Sequence, residues 1–351
     1  GMKLSVIDFG GIITSVVTPD KDGNMDDVVL GYDKPEPYFD NPGFLGATIG
    51  RSANRIADAA FTLDGVKYKL PVNENNNNLH TDFKNGFHVK LWESEADEKT
   101  NSVIMRYSSP DGENGFPGKF DIQVTFSLTE DNEVKLHYEG KTDKKTIANC
   151  TNHSYFNLEG LKSGPSRIED EYIKIYASRY TPVVKGAIPT GELAEVKGTV
   201  FDFTEFKRIG DDIDKDIEQL KLVGGYDHNF ALDTPKKDNL AAEVEDRKSG
   251  RVMKVYTDLP GLQFYAGNFI GEQTGKEGVV YNKGHTLGMG GLGKGLNVEH
   301  VGTDDVHVDV DGRRLVLVLQ AEADELTLIS SLVLDTIDEV RATLNHALIH
   351  E

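Results

Sequence analysis

The stretch Asn149-Cys150-Thr151-Asn152-His153-Ser154-Tyr155-Phe156-Asn157-Leu158 gathers hydrogen-bonding and titratable side chains into ten residues. Read as an extended segment, its side chains alternate between two faces. Thr151, His153, Tyr155 and Asn157 then share one face; Asn152, Ser154, Phe156 and Leu158 take the other. The first face is a row of hydroxyl, imidazole, phenol and amide. Its one base is the side chain whose charge changes between pH 5 and 8. Such a row suits a polyhydroxylated ligand that must exchange a proton. It also describes a polar strand face near a turn, with His153 hydrogen-bonded and nothing more.

Other stretches carry chemistry of the same kind. Gly50-Arg51-Ser52-Ala53-Asn54-Arg55-Ile56 places two arginines four residues apart with an amide beside the second. Planar guanidinium donors suit binding to oxygen-rich ligands, and equally a loop that pairs them with carboxylates. Asn73 to Asn78, interrupted by Glu74, delivers His80 either to a ligand or to a solvated turn. Asp227 follows Gly224-Gly225-Tyr226, where glycines allow close approach of the backbone; an Asx-type turn is the competing reading. His88 reads as structural, His137 as solvated and Cys150 as a small packed residue.

The elements that position these groups read as strands. Phe61 to Leu70 is a hairpin through Asp64-Gly65, and Phe120–Leu128 and Val134–Glu139 alternate cleanly about Asp131-Asn132. Ile209 to Gln219 predicts one or two helical turns. Short strands with Gly, Pro and Asp turns argue an all-β chain. Its 351 residues suffice for a sizeable core. With 58 Asp and Glu against 38 Lys and Arg, the net charge of −20 disfavours nucleic acid and anionic membrane partners. No run approaches the ~18 apolar residues of a membrane span, and the N-terminal residues lack a secretory apolar segment, so a cytoplasmic protein is expected. The single cysteine allows no intrachain disulfide.

Thr-Asn-His-Ser-Tyr-Phe-Asn-Leu resembles the signature of the aldose 1-epimerases, the galactose mutarotases. The likeness extends through Pro19–Tyr32, Gly50–Ile56, Asn78-Leu79-His80 and Leu259–Phe269, covering residues 5–284. It implies a large antiparallel β-sandwich of the galactose mutarotase kind. It further implies interconversion of the α and β anomers of free hexoses such as galactose or glucose, with a small sugar as partner and neither metal nor organic cofactor. His153 takes the place of the catalytic acid and His80 that of a pocket histidine assisting it. Asn54, Arg55, Asp227 and Gln263 match sugar-contacting positions, and Tyr155 joins them as a hydroxyl-holding group. The family has His-Gly-Gly where this chain has His80-Thr81-Asp82.

The likeness stops after Tyr281. Counted from that tyrosine, the place of the family's general-base glutamate holds Gly290. Glu299 is the first candidate for a substitute base, ahead of Asp304 and Asp305. Without a base, the alternative is a carbohydrate-binding protein of the same fold that does not catalyse. Gly288 to Gly293 satisfies G-x-G-x-x-G but lacks a strand before and a helix after it, so it reads as a mobile loop rather than a phosphate site. His307 to Gly312 fails as a calcium loop at its first and twelfth positions and reads as a hairpin through Asp311-Gly312 into Leu315–Val318. Leu334, Ile337, Val340, Leu344 and Leu348 recur at helical spacing and predict a terminal helix. The expected organisation is a sandwich domain over 1–284 and an atypical segment, 285–351, packed on the same domain.

Overall fold

The alternation in Phe120–Leu128 and Glu133–Thr142 becomes two long strands that turn Phe120, Ile122, Val124, Phe126, Val134, Leu136 and Tyr138 inward. The turn between them places Asn132 in the left-handed region, at φ 58°, which Asn tolerates better than most residues. The computed structural model describes residues 1–163, 167–234, 239–284, 286–292 and 313–320. Among these the chain is nearly all strand.

Two antiparallel sheets dominate. The larger has nine strands, in the order Lys207–Arg208, Tyr172–Ile175, Leu240–Glu245, Val252–Thr257, Arg313–Gln320, Glu133–Thr142, Phe120–Leu128, Ser102–Ser109 and Glu93–Asp97. The smaller has six, in the order Tyr155–Phe156, Leu287–Leu292, Gly261–Tyr265, Asp227–Ala231, Arg179–Tyr180 and Ala194–Glu195. One core draws Val124, Phe126, Leu136 and Val255 from the first sheet and Phe156, Phe230, Leu262 and Phe264 from the second. Each such side chain contributes about 1.5–3 kcal/mol by leaving water. Among the described residues the α-helix is Glu218–Val223, ended by Gly224 at φ 72°. A 3₁₀ turn, Ile209–Asp211, precedes it, so the helical turns expected over 209–219 fall partly beyond that span.

The glycine run differs from expectation. Leu287–Leu292 is not a loop but a strand, paired to Tyr155–Phe156 on one side and Gly261–Tyr265 on the other. Glycine is a weak strand former, so the run carries no strand signal of its own; two partner ladders hold it extended. Arg313–Gln320 likewise lies between Glu133–Thr142 and Val252–Thr257. Residues beyond 284 therefore supply a strand to each large sheet. The terminal helix over 334–348, the turn at Asp311-Gly312 and the candidates Glu299, Asp304 and Asp305 lie outside the described residues.

Candidate active site

The signature stretch is not one extended strand. Thr151–Asn152 pairs with Thr48–Ile49, and Tyr155–Phe156 pairs with the glycine strand in a different sheet. Between them Asn152 Oδ1 accepts hydrogen bonds from the backbone N–H of Ser154 at 3.0 Å and from its hydroxyl at 2.6 Å. That Asx-type turn breaks the alternation expected over 151–157. Consequently Thr151, Asn152, His153, Ser154 and Tyr155 all line one pocket. Asn157, expected in the row, is buried away from the pocket, its Oδ1 accepting from Glu159 N–H at 3.2 Å.

The pocket has a volume of about 420 Å³, within the range of small-molecule sites. It brings together every substrate-binding and histidine position expected from the sequence that lies in the described residues: Asn54, Arg55, His80, His153, Tyr155, Asp227 and Gln263. These come from separate parts of the chain. Asp227 begins a strand and Gln263 lies at the centre of its neighbour. Asn54 and His80 meet across short segments through one backbone bond, His80 N–H to Asn54 O at 3.0 Å, and one backbone-to-side-chain bond, Asn54 N–H to His80 Nδ1 at 3.1 Å.

A chain of polar contacts fixes one wall. Asn54 Nδ2 donates to Gln263 Oε1 at 3.3 Å, and Gln263 Nε2 donates to Asp227 Oδ1 at 2.6 Å. Asp227 Oδ2 lies 3.8 Å from Arg55 Nη1. Arg55 in turn grips Glu74 with a fork, Nε to Oε2 at 2.5 Å and Nη2 to Oε1 at 2.8 Å. Burial works against the Arg55 charge, but Glu74 and Asp227 outweigh it and raise its pKa. Burial raises the Asp227 carboxyl against the pull of Arg55 and Gln263.

The opposite wall is aromatic. Phe44 places its ring 5.1 Å from that of His80, 5.7 Å from His153 and 4.7 Å from His88, centroid to centroid. The rings of His80 and His153 meet edge-on at 5.0 Å. Desolvation pushes His153 down to about 4, and lowers His80 well below the usual histidine range. Both imidazoles are therefore neutral at pH 7. For His153 this sits uneasily with the role of an acid, which needs a proton that this environment disfavours.

Phe44, Asn54 and His80 adopt φ of 56°, 59° and 52°, the left-handed region that residues other than glycine enter rarely and often at functional sites. Thr81, where the family has glycine, is at φ 71°. Its hydroxyl accepts from Ser52 N–H at 2.8 Å and donates to Ser52 O at 3.1 Å. Those two bonds hold a β-branched residue in a conformation suited to glycine, and His80 keeps its place in the pocket.

Several pocket residues carry no functional signal in the sequence. Glu74 reads as an interruption of an Asn-rich loop, yet it is the partner of Arg55. Phe44, Tyr265 and Met289 also line the pocket and carry no local signature. Arg51 is the opposite case. It is buried outside the pocket, donating to Pro117 O at 3.0 Å, Gly118 O at 2.9 Å and Ser109 Oγ at 2.7 Å. His88 is structural as expected, its Nε2 3.1 Å from Phe83 O.

The family model of aldose 1-epimerase matches residues 1–286. Galactose mutarotase from Bos taurus is 41% identical over 283 residues, 80% of each chain. Aldose 1-epimerase from Escherichia coli (strain K12) is 40% identical over 273 residues, 77% of each. Among solved structures, a galactose 1-epimerase from Lactobacillus acidophilus is 28% identical with a TM-score of 0.76, covering 91% of both chains. An aldose epimerase homologue from C. elegans shares the fold at a TM-score of 0.80, covering 92% of this chain and 96% of that one. The chain belongs to the aldose 1-epimerase family. Among the described residues, no helix is long and apolar enough to cross a membrane.

Proposed function

We propose that this pocket interconverts the anomers of a free aldohexose such as galactose or glucose, the two large sheets packing as the family's β-sandwich around their shared core. Anomer exchange opens the ring, rotates the C1–C2 bond and closes it again. It needs an acid to protonate the ring oxygen, a base to take the proton of the C1 hydroxyl, and several groups to hold the remaining hydroxyls. His153 is the acid, with His80 assisting beside it, and Glu299 is the candidate for the base. Asn54, Arg55, Asp227, Gln263 and Tyr155 hold hydroxyls. The observation that carries this reading is the convergence of two imidazoles with the Asn54–Gln263–Asp227–Arg55 chain in one pocket. Uncharged polar groups, aromatic walls and a forked cation are the chemistry that recognises a polyol.

The test is polarimetry of freshly dissolved α-D-glucose and α-D-galactose. Added protein should speed the approach to equilibrium rotation, and His153→Ala should remove about 10²–10⁴-fold of that rate while leaving the melting temperature close to wild type. Sugar binding without acceleration would make the chain a binding protein instead.

A further inference from the structure

The run from Asn73 to Asn78 is held in place by its own amides. Asn73 closes it, accepting from Leu79 N–H and donating to Leu79 O, both at 2.7 Å. Asn78 Nδ2 ties it to Pro71 O at 2.8 Å and to Thr81 O at 2.6 Å. Asn77 Oδ1 accepts from Asp58 N–H at 3.0 Å, and Asn77 N–H donates to Glu74 O at 2.9 Å across the tip. Glu74 is thereby carried on a frame of amide side chains, and it lines the pocket.

Its carboxylate competes with Asp227 for one guanidinium, whose N–H donors form a planar fork. Glu74 takes the Nε–Nη2 edge of Arg55 with both oxygens, at 2.5 and 2.8 Å. Arg55 Nη1 is left 3.8 Å from Asp227 Oδ2, too far for a hydrogen bond. The Arg55 and Asp227 side chains are 10% and 11% exposed, so solvent screens their attraction weakly, and yet the pair stays open. Gln263 Nε2 anchors the other carboxylate oxygen, Oδ1, at 2.6 Å. A donor and an acceptor thus face each other across a gap that neither closes. A hydroxyl both accepts and donates. Its oxygen, seated about 2.8 Å from each, accepts from Nη1 and donates to Oδ2 at once.

Resting on the epimerase reading of the pocket, we infer that Glu74 is a positioning residue: it withholds Arg55 from Asp227 and so keeps open a slot that takes one hydroxyl of the sugar. It takes no part in proton transfer. Removing its carboxylate releases the Nε–Nη2 edge, and the carboxylate remaining beside the guanidinium is Asp227. A direct fork between those two is a strong pairing. It fills the slot from within, and a sugar must then break it to bind. The loss falls on substrate and transition state alike, so KM carries it and kcat does not.

The experiment measures Kd for galactose by NMR titration, kcat and KM by polarimetry, and the Arg55–Asp227 distance by crystallography. The proteins are wild type, Glu74→Ala and Glu74→Gln. Glu74→Ala should weaken Kd and raise KM about 10–100-fold, with kcat within about threefold of wild type. Its crystal structure should place an Arg55 nitrogen within about 3 Å of Asp227. Sodium formate should lower the KM of Glu74→Ala toward wild type, and sodium chloride at equal ionic strength should not. Glu74→Gln keeps the size and one acceptor and should fall between the two. In an Asp227→Asn background the further loss from Glu74→Ala should shrink below about threefold, because the competing carboxylate is gone. A Kd for Glu74→Ala within about twofold of wild type, an Arg55–Asp227 distance still near 3.8 Å, or a kcat that drops as far as KM rises overturns the inference. Formate without effect assigns the loss to the loop rather than the carboxylate and overturns it too. Should Glu74→Ala fail to fold, Glu74→Gln decides, and binding as tight as wild type overturns it. Wild-type protein that binds galactose yet accelerates nothing overturns the epimerase reading, while Kd and the crystal structure still judge the slot. Wild type that mutarotates beside an unimpaired Glu74→Ala overturns this inference alone.

Discussion

In the nine-stranded sheet, Ser102–Ser109 pairs with Phe120–Leu128 over eight residues, and Phe120–Leu128 with Glu133–Thr142 over nine, both in unbroken register. The pocket combines residues of the five- and six-residue strands Asp227–Ala231, Gly261–Tyr265 and Leu287–Leu292 with two-residue strands, an Asx turn and three residues at positive φ. The strands Ser102–Ser109, Phe120–Leu128 and Glu133–Thr142 line none of this pocket. The pocket interrupts its strands with turns and positive-φ residues, and groups from positions 42 to 289 meet at one space. Stability and recognition are thus divided between regions, and substitutions should separate them.

The largest expected effect is in the long sheet. Phe126→Ala removes a ring that is 1% exposed and should cost about 3–5 kcal/mol of unfolding free energy. The urea midpoint should fall while turnover per folded molecule stays at wild type; a matching loss of turnover would erase the division. The counterpart in the pocket is Arg55→Lys, which keeps the charge but not the fork to Glu74. Losing charge-assisted hydrogen bonds worth about 1.5–3 kcal/mol should raise KM about 10–100-fold, with a smaller change in the urea midpoint.

Glu171 joins the two regions. It precedes the strand Tyr172–Ile175 of the long sheet, and its Oε1 accepts from Leu158 N–H, at the end of the signature, at 2.7 Å. Burial holds its carboxyl well above the usual range, whereas in the unfolded chain it ionises near ~4.3. The unfolded state releases the proton first, so stability falls as pH rises above that value, until the folded carboxyl itself ionises. The slope is at most about 1.4 kcal/mol per pH unit, and Glu171→Gln should flatten it in urea titrations between pH 5 and 8. The smallest effect belongs to the hairpin tip at Asp64-Gly65, where Gly65 has φ 79°. Gly65→Ala should cost about 1 kcal/mol and leave mutarotation untouched.

How much could be read in advance follows the same division. Phe120–Leu128 and Glu133–Thr142 announce themselves because inward and outward positions differ in polarity. Leu287–Leu292 does not, because glycine has no polarity to alternate. Within the site, His153, His80, Asp227 and Gln263 were found through family motifs, not through periodicity. The face predicted for Thr151 through Asn157 failed because Asn152 bends the chain to cap its own neighbour. Arg51 and Arg55 show the limit most plainly. Four residues apart and identical in type, one stabilises a knot of backbone carbonyls and the other faces the pocket. Local spacing does not separate them, because the difference lies in partners, Glu74 against Pro117 and Gly118, that are distant in sequence.

Gly288 stands opposite Tyr265 in a strand that lines the pocket. Directly opposed residues of an antiparallel pair project to the same side, so a side chain grafted there lies beside the Tyr265 ring. At Gly288 an added Cβ would meet Tyr265 at 3.6 Å and Tyr155 at 3.9 Å, ordinary contact distances. Gly288 is in effect a blank socket, and one amino-acid replacement there installs a new functional group without rebuilding any loop.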